Sequence, residues 1–282
     1  MLFPAAVLSA AVCALSLLSF TGPPHEHPPA DRPAHRIVSL SPSLTKMVLM
    51  LGSADAVAGI TSYDRIPGVN TASVGTLMNP SMEAIIRLAP DAVVYCAEDS
   101  AVQHMESLAA AGIRSVEFPR VRSFDDSLAI LRGMGNLLGR KSEADALVDS
   151  YRSAYRTAVS QRRLKTLFLL SADPVIAASD SSFLGSIIRD AGGICCAVSG
   201  ANPYPVLSKE YVVRSAPDVV VSAFHGAAVS IAESYSPYRH LPFMKRKIAE
   251  LDPDIACRYD PESMLQTKKL IEDALSQRST GQ

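Results

Sequence analysis

The strongest constraint on this chain is a passage that occurs twice. NPSMEAIIRLAPDAVV at residues 79–94 returns as LSKEYVVRSAPDVVV at residues 207–221. With Glu83 laid on Glu210, Ser81 meets Ser208, Arg87 meets Arg214, and Ala89-Pro90-Asp91 meets Ala216-Pro217-Asp218. Each copy reads as a short helix, a proline turn and a buried strand. The serine is placed to cap the helix by accepting one of its unpaired amides. The glutamate follows in the first turn, where the helix dipole favours an anion, and the arginine stands one turn later in the favourable order. Proline then forbids continuation. Local stability accounts for the serine, the proline and the apolar positions. It accounts less well for the glutamate, because an N-terminal anion contributes only about 0.3–1 kcal/mol and other residues would serve. The second reading is that two similar lobes present two equivalent carboxylates, which suits docking onto a two-fold symmetric partner with basic sockets.

The segments around the repeat fit two lobes. RIVSL, AVAGI, DAVVYC and IRSVEF are short apolar runs separated by helical stretches, the pattern of parallel β-α units. Ser43 is placed to cap a helix over residues 44–51, which Gly52 ends. From residue 140 to 164 no Gly or Pro occurs, and Ala144, Leu147, Val148, Tyr151, Tyr155 and Val159 recur at helical spacing. A helix of about 20 residues spans ~30 Å, enough to join two lobes. The alternation then resumes with LKTLFLL, PVIAAS, a helix over residues 182–191, and KIAEL before a terminal helix over residues 261–275. The expected fold is therefore α/β, with two Rossmann-like lobes on central parallel sheets joined by a single long helix. The expected organisation is an N-terminal lobe at residues 36–139, a connecting helix at 140–163 and a C-terminal lobe at 164–278.

The start of the chain has a different character. Residues 2–20 are almost wholly apolar and no Lys or Arg precedes Arg32, while residues 21–33 read TGPPHEHPPADRP. Residues 1–21 are expected to be an export signal or an N-terminal membrane anchor, with 22–35 a Pro/His-rich spacer. Of the five cysteines, Cys13 lies in the leader, and Cys96, Cys195, Cys196 and Cys257 lack the paired spacing of a zinc site. In an oxidising compartment a bridge from Cys257 to Cys195 or Cys196 is one arrangement. The formal net charge of −1 gives no electrostatic footprint for nucleic acid.

Ligands of parallel α/β sheets sit beyond the carboxyl ends of the strands. The loops there carry Tyr63, Asp64, Arg65, Arg120, Arg122, Tyr204, His225, Asp254, Arg258 and Tyr259. His225 stands alone, so no metal site is expected. GMGNLLGRKS is not a phosphate loop, since Met134 stands where a glycine is needed, and no G-x-S-x-G or H-E-x-x-H occurs. No constellation is committed to catalysis.

RIVSLSPSLTKMVLMLG, VAGITSYDRIP, VGTLMNPSMEAIIRLAPDAVV, the long mid-chain helix and LSKEYVVRSAPDVVV together resemble the periplasmic binding proteins for vitamin B12, iron-siderophores and haem, over roughly residues 36–275. The resemblance implies a monomer that captures a small metal chelate outside the cytoplasm and hands it to an ABC importer. Glu83 and Glu210 would dock into arginine pockets on the permease dimer. A corrinoid is the leading ligand, with aromatics at Tyr63 and Tyr204 and an Asp254–Arg258 pair gripping its polar edges. Leu77, Cys96 and Ile255 stand where the B12 branch tends to carry large aromatics, and the chain has no Trp. An iron-siderophore would favour the loop arginines, and haem would take Tyr63 or Tyr259 as axial ligand. The rival from another class is a tetrapyrrole metal chelatase, for which His225 is the metal-binding candidate. A surface lipoprotein that keeps the fold without a ligand is the third reading.

Overall fold

The computed structural model describes residues 32–64, 71–76, 78–97, 105–156, 163–197, 200, 202–224 and 248–276. The leader, most of the spacer, Arg65, Leu77, His225 and the last part of the connecting segment lie outside the described residues.

Two separate sheets form. The first contains β1 (Ile37–Ser39), β2 (Val57–Ile60), β3 (Ala72–Ser73), β4 (Ala92–Cys96) and β5 (Arg114–Phe118), in the order β3-β2-β1-β4-β5. Every pairing in it is parallel. The second contains β6 (Lys165–Ala172), β7 (Val175–Ala177), β8 (Ile194–Cys195), β9 (Val219–Ser222) and β10 (Ile248–Glu250), along the path β10-β9-β6-β7 with β8 also on β6. Here the expectation of parallel strands needs one correction. β7 runs antiparallel to β6, because only Asp173 and Pro174 separate the two strands and so short a connection can only fold back.

Around the sheets lie α1 (Pro42–Met50), α2 (Met82–Arg87), α3 (Met105–Ala110), α4 (Phe124–Leu137), α5 (Lys141–Tyr155), α6 (Phe183–Asp190), α7 (Lys209–Ser215), α8 (Pro253–Ala256) and α9 (Pro261–Ser276). The strands alternate between two interiors, as the period of two requires. In the first sheet Val38, Val93 and Tyr95 face an outer layer with Ile85 and Leu108. In the second, Leu167, Leu169 and Val220 face an outer layer with Val212. Their neighbours Ile37, Ala92, Val94, Phe168, Val219 and Val221 all enter one common core with α1, α4, α5, α6 and α9. Each sheet is covered on both faces, and the inner cover is shared.

The chain passes between the sheets through α5, whose described part is 15 residues long. That passage is reinforced by α9, which packs on α4, α5, α6 and β9. Phe124 of α4 stacks on Tyr155 of α5 at 3.6 Å between ring centroids, and the Tyr155 hydroxyl donates to Asp190 of α6 at 2.9 Å. Lys268 of α9 is 1% exposed, with its ammonium 2.6 Å from Glu272 and 5.1 Å from the Tyr155 ring centre. A buried charge costs several kcal/mol unless paired, and here both an anion and an aromatic face meet it. The GMG sequence has a packing explanation. A Cβ on Gly135 would overlap the Ala144 side chain, so the glycine sets the close approach of α4 to α5.

The two copies of the repeat fold alike. Ser81 Oγ accepts from the Ala84 amide at 3.2 Å, and Ser208 Oγ accepts from the Tyr211 amide at 3.1 Å. Ala89 and Ala216 both take the left-handed conformation, at φ 43° and 46°. Asp91 and Asp218 then stitch each unit to the first strand of its sheet. The Asp91 amide donates to Arg36 O and its carboxylate accepts from the His35 amide, while the Asp218 amide donates to Lys165 O and its carboxylate accepts from the Lys165 amide.

Candidate functional site

In each lobe the repeat helix runs back along the sheet, so its N-terminus lies at the edge where the parallel strands end. Glu83 and Glu210 occupy that turn of α2 and α7. The Glu83 side chain is 87% exposed and lies 3.5 Å from Arg87, one turn on. Glu210 is also exposed. Its carboxyl is held below the usual carboxylate range, first by its own backbone amide and then by the Ser208 hydroxyl. Both lobes thus present a carboxylate on a short capped helix at the same edge.

That edge also gathers the ligand-loop residues. Tyr63 is 55% exposed on the turn after β2. Asp64 closes the turn, with Oδ2 accepting from the Thr61 amide at 3.1 Å and the Thr61 hydroxyl at 2.8 Å. Its Oδ1 is buried with no hydrogen-bond partner. Burial raises the Asp64 pKa, and the Thr61 bonds, the nearby Thr45 hydroxyl and the Arg258 charge oppose that rise. Arg258 belongs to the other lobe, just past α8, and so is within electrostatic reach of the Tyr63 turn. It also acts on Asp260, whose pKa burial raises against the Ser263 bonds and the Lys46 and Arg258 charges. Asp254 sits half-buried in the first turn of α8, its amide donating to the Asp252 cap at 2.9 Å. Tyr204 is half-buried, packed against the shared core, with its amide on Asn202 Oδ1 at 3.0 Å. Arg120 and Arg122 are exposed in the loop after β5.

Tyr259 is placed differently from the other ligand candidates. It is 7% exposed, and its hydroxyl lies 2.6 Å from Ser41 Oγ of the first lobe. The Tyr259 amide donates to Ser43 Oγ at 3.0 Å, and the Ser127 hydroxyl donates to the Tyr259 carbonyl at 2.5 Å. Ser43 therefore does not cap α1, which begins at Pro42 after Ser41. Three serines of the first lobe instead hold one tyrosine of the second, and the Lys46–Glu262 pair at 2.8 Å lies along the same seam. Sequence reasoning missed Ser41, Ser43 and Ser127. A polar side chain in an apolar run was the available signal, since Ser127 and Ser43 sit on the buried faces of amphipathic helices.

The cysteine bridge is corrected as well. Cys96, Cys195, Cys196 and Cys257 are free thiols. As neighbours in an extended segment, Cys195 and Cys196 face opposite interiors. Burial pushes the thiols of Cys195, Cys196 and Cys257 up to about 11, 12 and 12. Thiols so raised are poor nucleophiles and poor metal ligands at neutral pH. Among the described residues no group of three His, Cys, Asp or Glu could hold a metal ion, and no helix is long and apolar enough to cross a membrane.

Known proteins resemble this chain in sequence and in fold. A Halobacterium salinarum protein named cobalamin-binding protein is 30% identical over 206 residues, covering 68% of this chain and 54% of its own length. The chain thus spans about half of that relative. A Bacillus subtilis protein named as an uncharacterized ABC transporter substrate-binding lipoprotein is 25% identical, covering 84% of this chain and 79% of its own. In three dimensions, the periplasmic haem-binding protein of Vibrio cholerae superposes with a TM-score of 0.75 at 20% identity, covering 86% of this chain and 100% of that one. The periplasmic vitamin B12-binding protein of Vibrio cholerae superposes with a TM-score of 0.72 at 17% identity, covering 87% and 99%. Residues 37–236 match the family described as periplasmic binding protein. Taken with the paired α/β lobes and their shared inner core, that match places this chain in the periplasmic binding protein family.

Proposed function

We propose that this protein captures a corrinoid outside the cytoplasm and delivers it to an ABC importer, docking through Glu83 and Glu210. The observation that carries the reading is the matched pair of exposed glutamates, one per lobe, on lobes that share one inner core. A rigid pair of lobes holds two carboxylates at a fixed spacing, which a permease dimer with two equivalent basic sockets can recognise. Between the lobes, Tyr63 and Tyr204 supply aromatic faces, and Asp254 and Arg258 supply polar grips for amide and phosphate edges. Tyr259 joins this reading as the residue that sets the lobe seam, with its hydroxyl engaged by Ser41. The corrinoid assignment is supported by relatives named for cobalamin and vitamin B12.

The half-exposed Tyr63 phenol also favours a second ligand, haem, which takes tyrosine as an axial ligand. Titrating the purified protein with cobalamin, ferric siderophores and haemin separates the three. If cobalamin binds, Tyr63→Ala and Arg258→Ala are each expected to weaken it at least tenfold, ~1.4 kcal/mol. A Soret shift with haemin that Tyr63→Phe abolishes would move the assignment to haem. Turnover of a free tetrapyrrole with Co²⁺ or Fe²⁺ would replace the binder with a chelatase.

A further inference from the structure

Exposed apolar side chains scattered singly over a surface are ordinary and call for no explanation. Two here are not scattered. Met78 is 61% exposed and Val206 is 67% exposed, more than any other large exposed hydrophobic among the described residues. Met78 stands three residues before the capping Ser81, and Val206 stands two residues before the capping Ser208. Both lie in the short stretch that leads into the glutamate-bearing helix, Met78 in a bend and Val206 in an extended bridge, one in each lobe. A third, Ile86, is 45% exposed and lies one turn beyond Glu83 on α2.

The backbone beneath these side chains is pinned. In the first lobe Gly75 bridges to Pro80, and the Ser81 amide donates to Val74 O at 2.7 Å. In the second lobe Val206 itself bridges to Ile176, and the Leu207 amide donates to Val175 O at 2.8 Å. Val206 is therefore displayed from a paired backbone and Met78 from the turn between the bridged Gly75 and the capping Ser81, each a few residues before its glutamate, and little backbone entropy is lost when a partner covers them.

We infer that Met78 and Val206 are apolar shoulders of the docking surface, and that the permease dimer meets each glutamate with a basic group beside an apolar ledge. The inference rests on the docking role proposed for Glu83 and Glu210, and it names contacts that role does not include. The two halves of each contact do different work. The carboxylates steer the encounter and are screened by salt, whereas the shoulders exclude water around the ion pair once it has formed. The occupant follows from charge and symmetry: two acidic feet call for two cationic sockets, and one apolar side chain beside each foot calls for one apolar rim beside each socket.

The test uses the full-length protein and the permease–ATPase complex of its own importer in nanodiscs, without ligand, at several KCl concentrations. Glu83→Gln with Glu210→Gln is expected to weaken docking at least a hundredfold and to flatten its salt dependence. Met78→Ser with Val206→Ser is expected to weaken docking about tenfold and to leave the salt dependence intact. Full affinity in the serine variant, alongside a loss in the glutamine variant, overturns the shoulders while leaving the docking role standing. Full affinity in both overturns the docking role and the shoulders with it. Cobalamin and haemin titrations of the serine variant supply the other arm. Weakened ligand binding with unchanged docking assigns Met78 and Val206 to the cleft wall and also overturns the inference.

Discussion

The two copies of the repeated passage agree in their framework and differ in how they present the glutamate. Both have the capping serine, the left-handed alanine and the aspartate that stitches the unit to its sheet. In the first lobe the glutamate shares its charge with Arg87 at 3.5 Å. In the second, its own backbone amide and the Ser208 hydroxyl are the main groups that hold Glu210 ionised, with the Lys209 charge as a smaller contribution. The framework is what a helix-turn-strand unit needs in order to fold. The carboxylate's surroundings are free to vary, because the fold of the unit does not depend on them.

This comparison can be broken most readily at the glutamates. Glu210→Ala is expected to reduce importer docking more than Glu83→Ala, each by at least tenfold, because Glu83 must first leave Arg87. Arg87→Ala should then strengthen docking at low salt, and equal losses from the two glutamates with no effect of Arg87→Ala would show that the presentations are equivalent. The stitching aspartates come next. Asp91→Ala and Asp218→Ala each remove a charged acceptor from a backbone amide, a loss of about 1.5 kcal/mol readable by denaturant unfolding. A much larger effect at Asp218 would mark the second lobe as the weaker half. Ser81→Ala and Ser208→Ala are each expected to cost about 1 kcal/mol, and to cost the same. The smallest effect is at the left-handed alanines. Ala89→Gly and Ala216→Gly relieve strain but loosen the unfolded chain, for a net gain under about 1 kcal/mol; a loss at either would mean the alanine methyl is packed.

A fifth experiment addresses a feature of the first lobe alone. Burial raises the pKa of Asp64 above 3.8. Its contribution to stability is therefore full below that value and is lost as pH climbs through the folded pKa. Asp64→Asn cannot ionise, and its amide nitrogen can occupy the place of the unpaired oxygen. The melting temperature of the variant relative to wild type should rise from pH 4 to pH 7. A constant difference would show that the carboxyl ionises freely in the folded protein.

The lobes, the repeat and most element boundaries were legible because they rest on local signals: period-two alternation, serine caps and proline stops. The seam was not. Tyr259 sits in a polar loop in sequence, DPDIACRYD, and reads as a ligand contact until its hydroxyl is found on Ser41, 218 residues away. A hydroxyl carries no mark of a distant partner. Ser43 was misread for the same reason, since a serine at the start of a helix usually caps it, and here it accepts the Tyr259 amide instead. β7 was expected to run parallel because its apolar run looks like the others, and only the two-residue connection reverses it.

Lys268 offers a built-in reporter. Its amine is sealed between α9 and Tyr155, in the layer both sheets share. An acylating reagent in solution can reach it only when that layer parts. The rate at which Lys268 is labelled, set against that of the exposed lysines, therefore counts how often the protein breathes at its midline, with ligand and without.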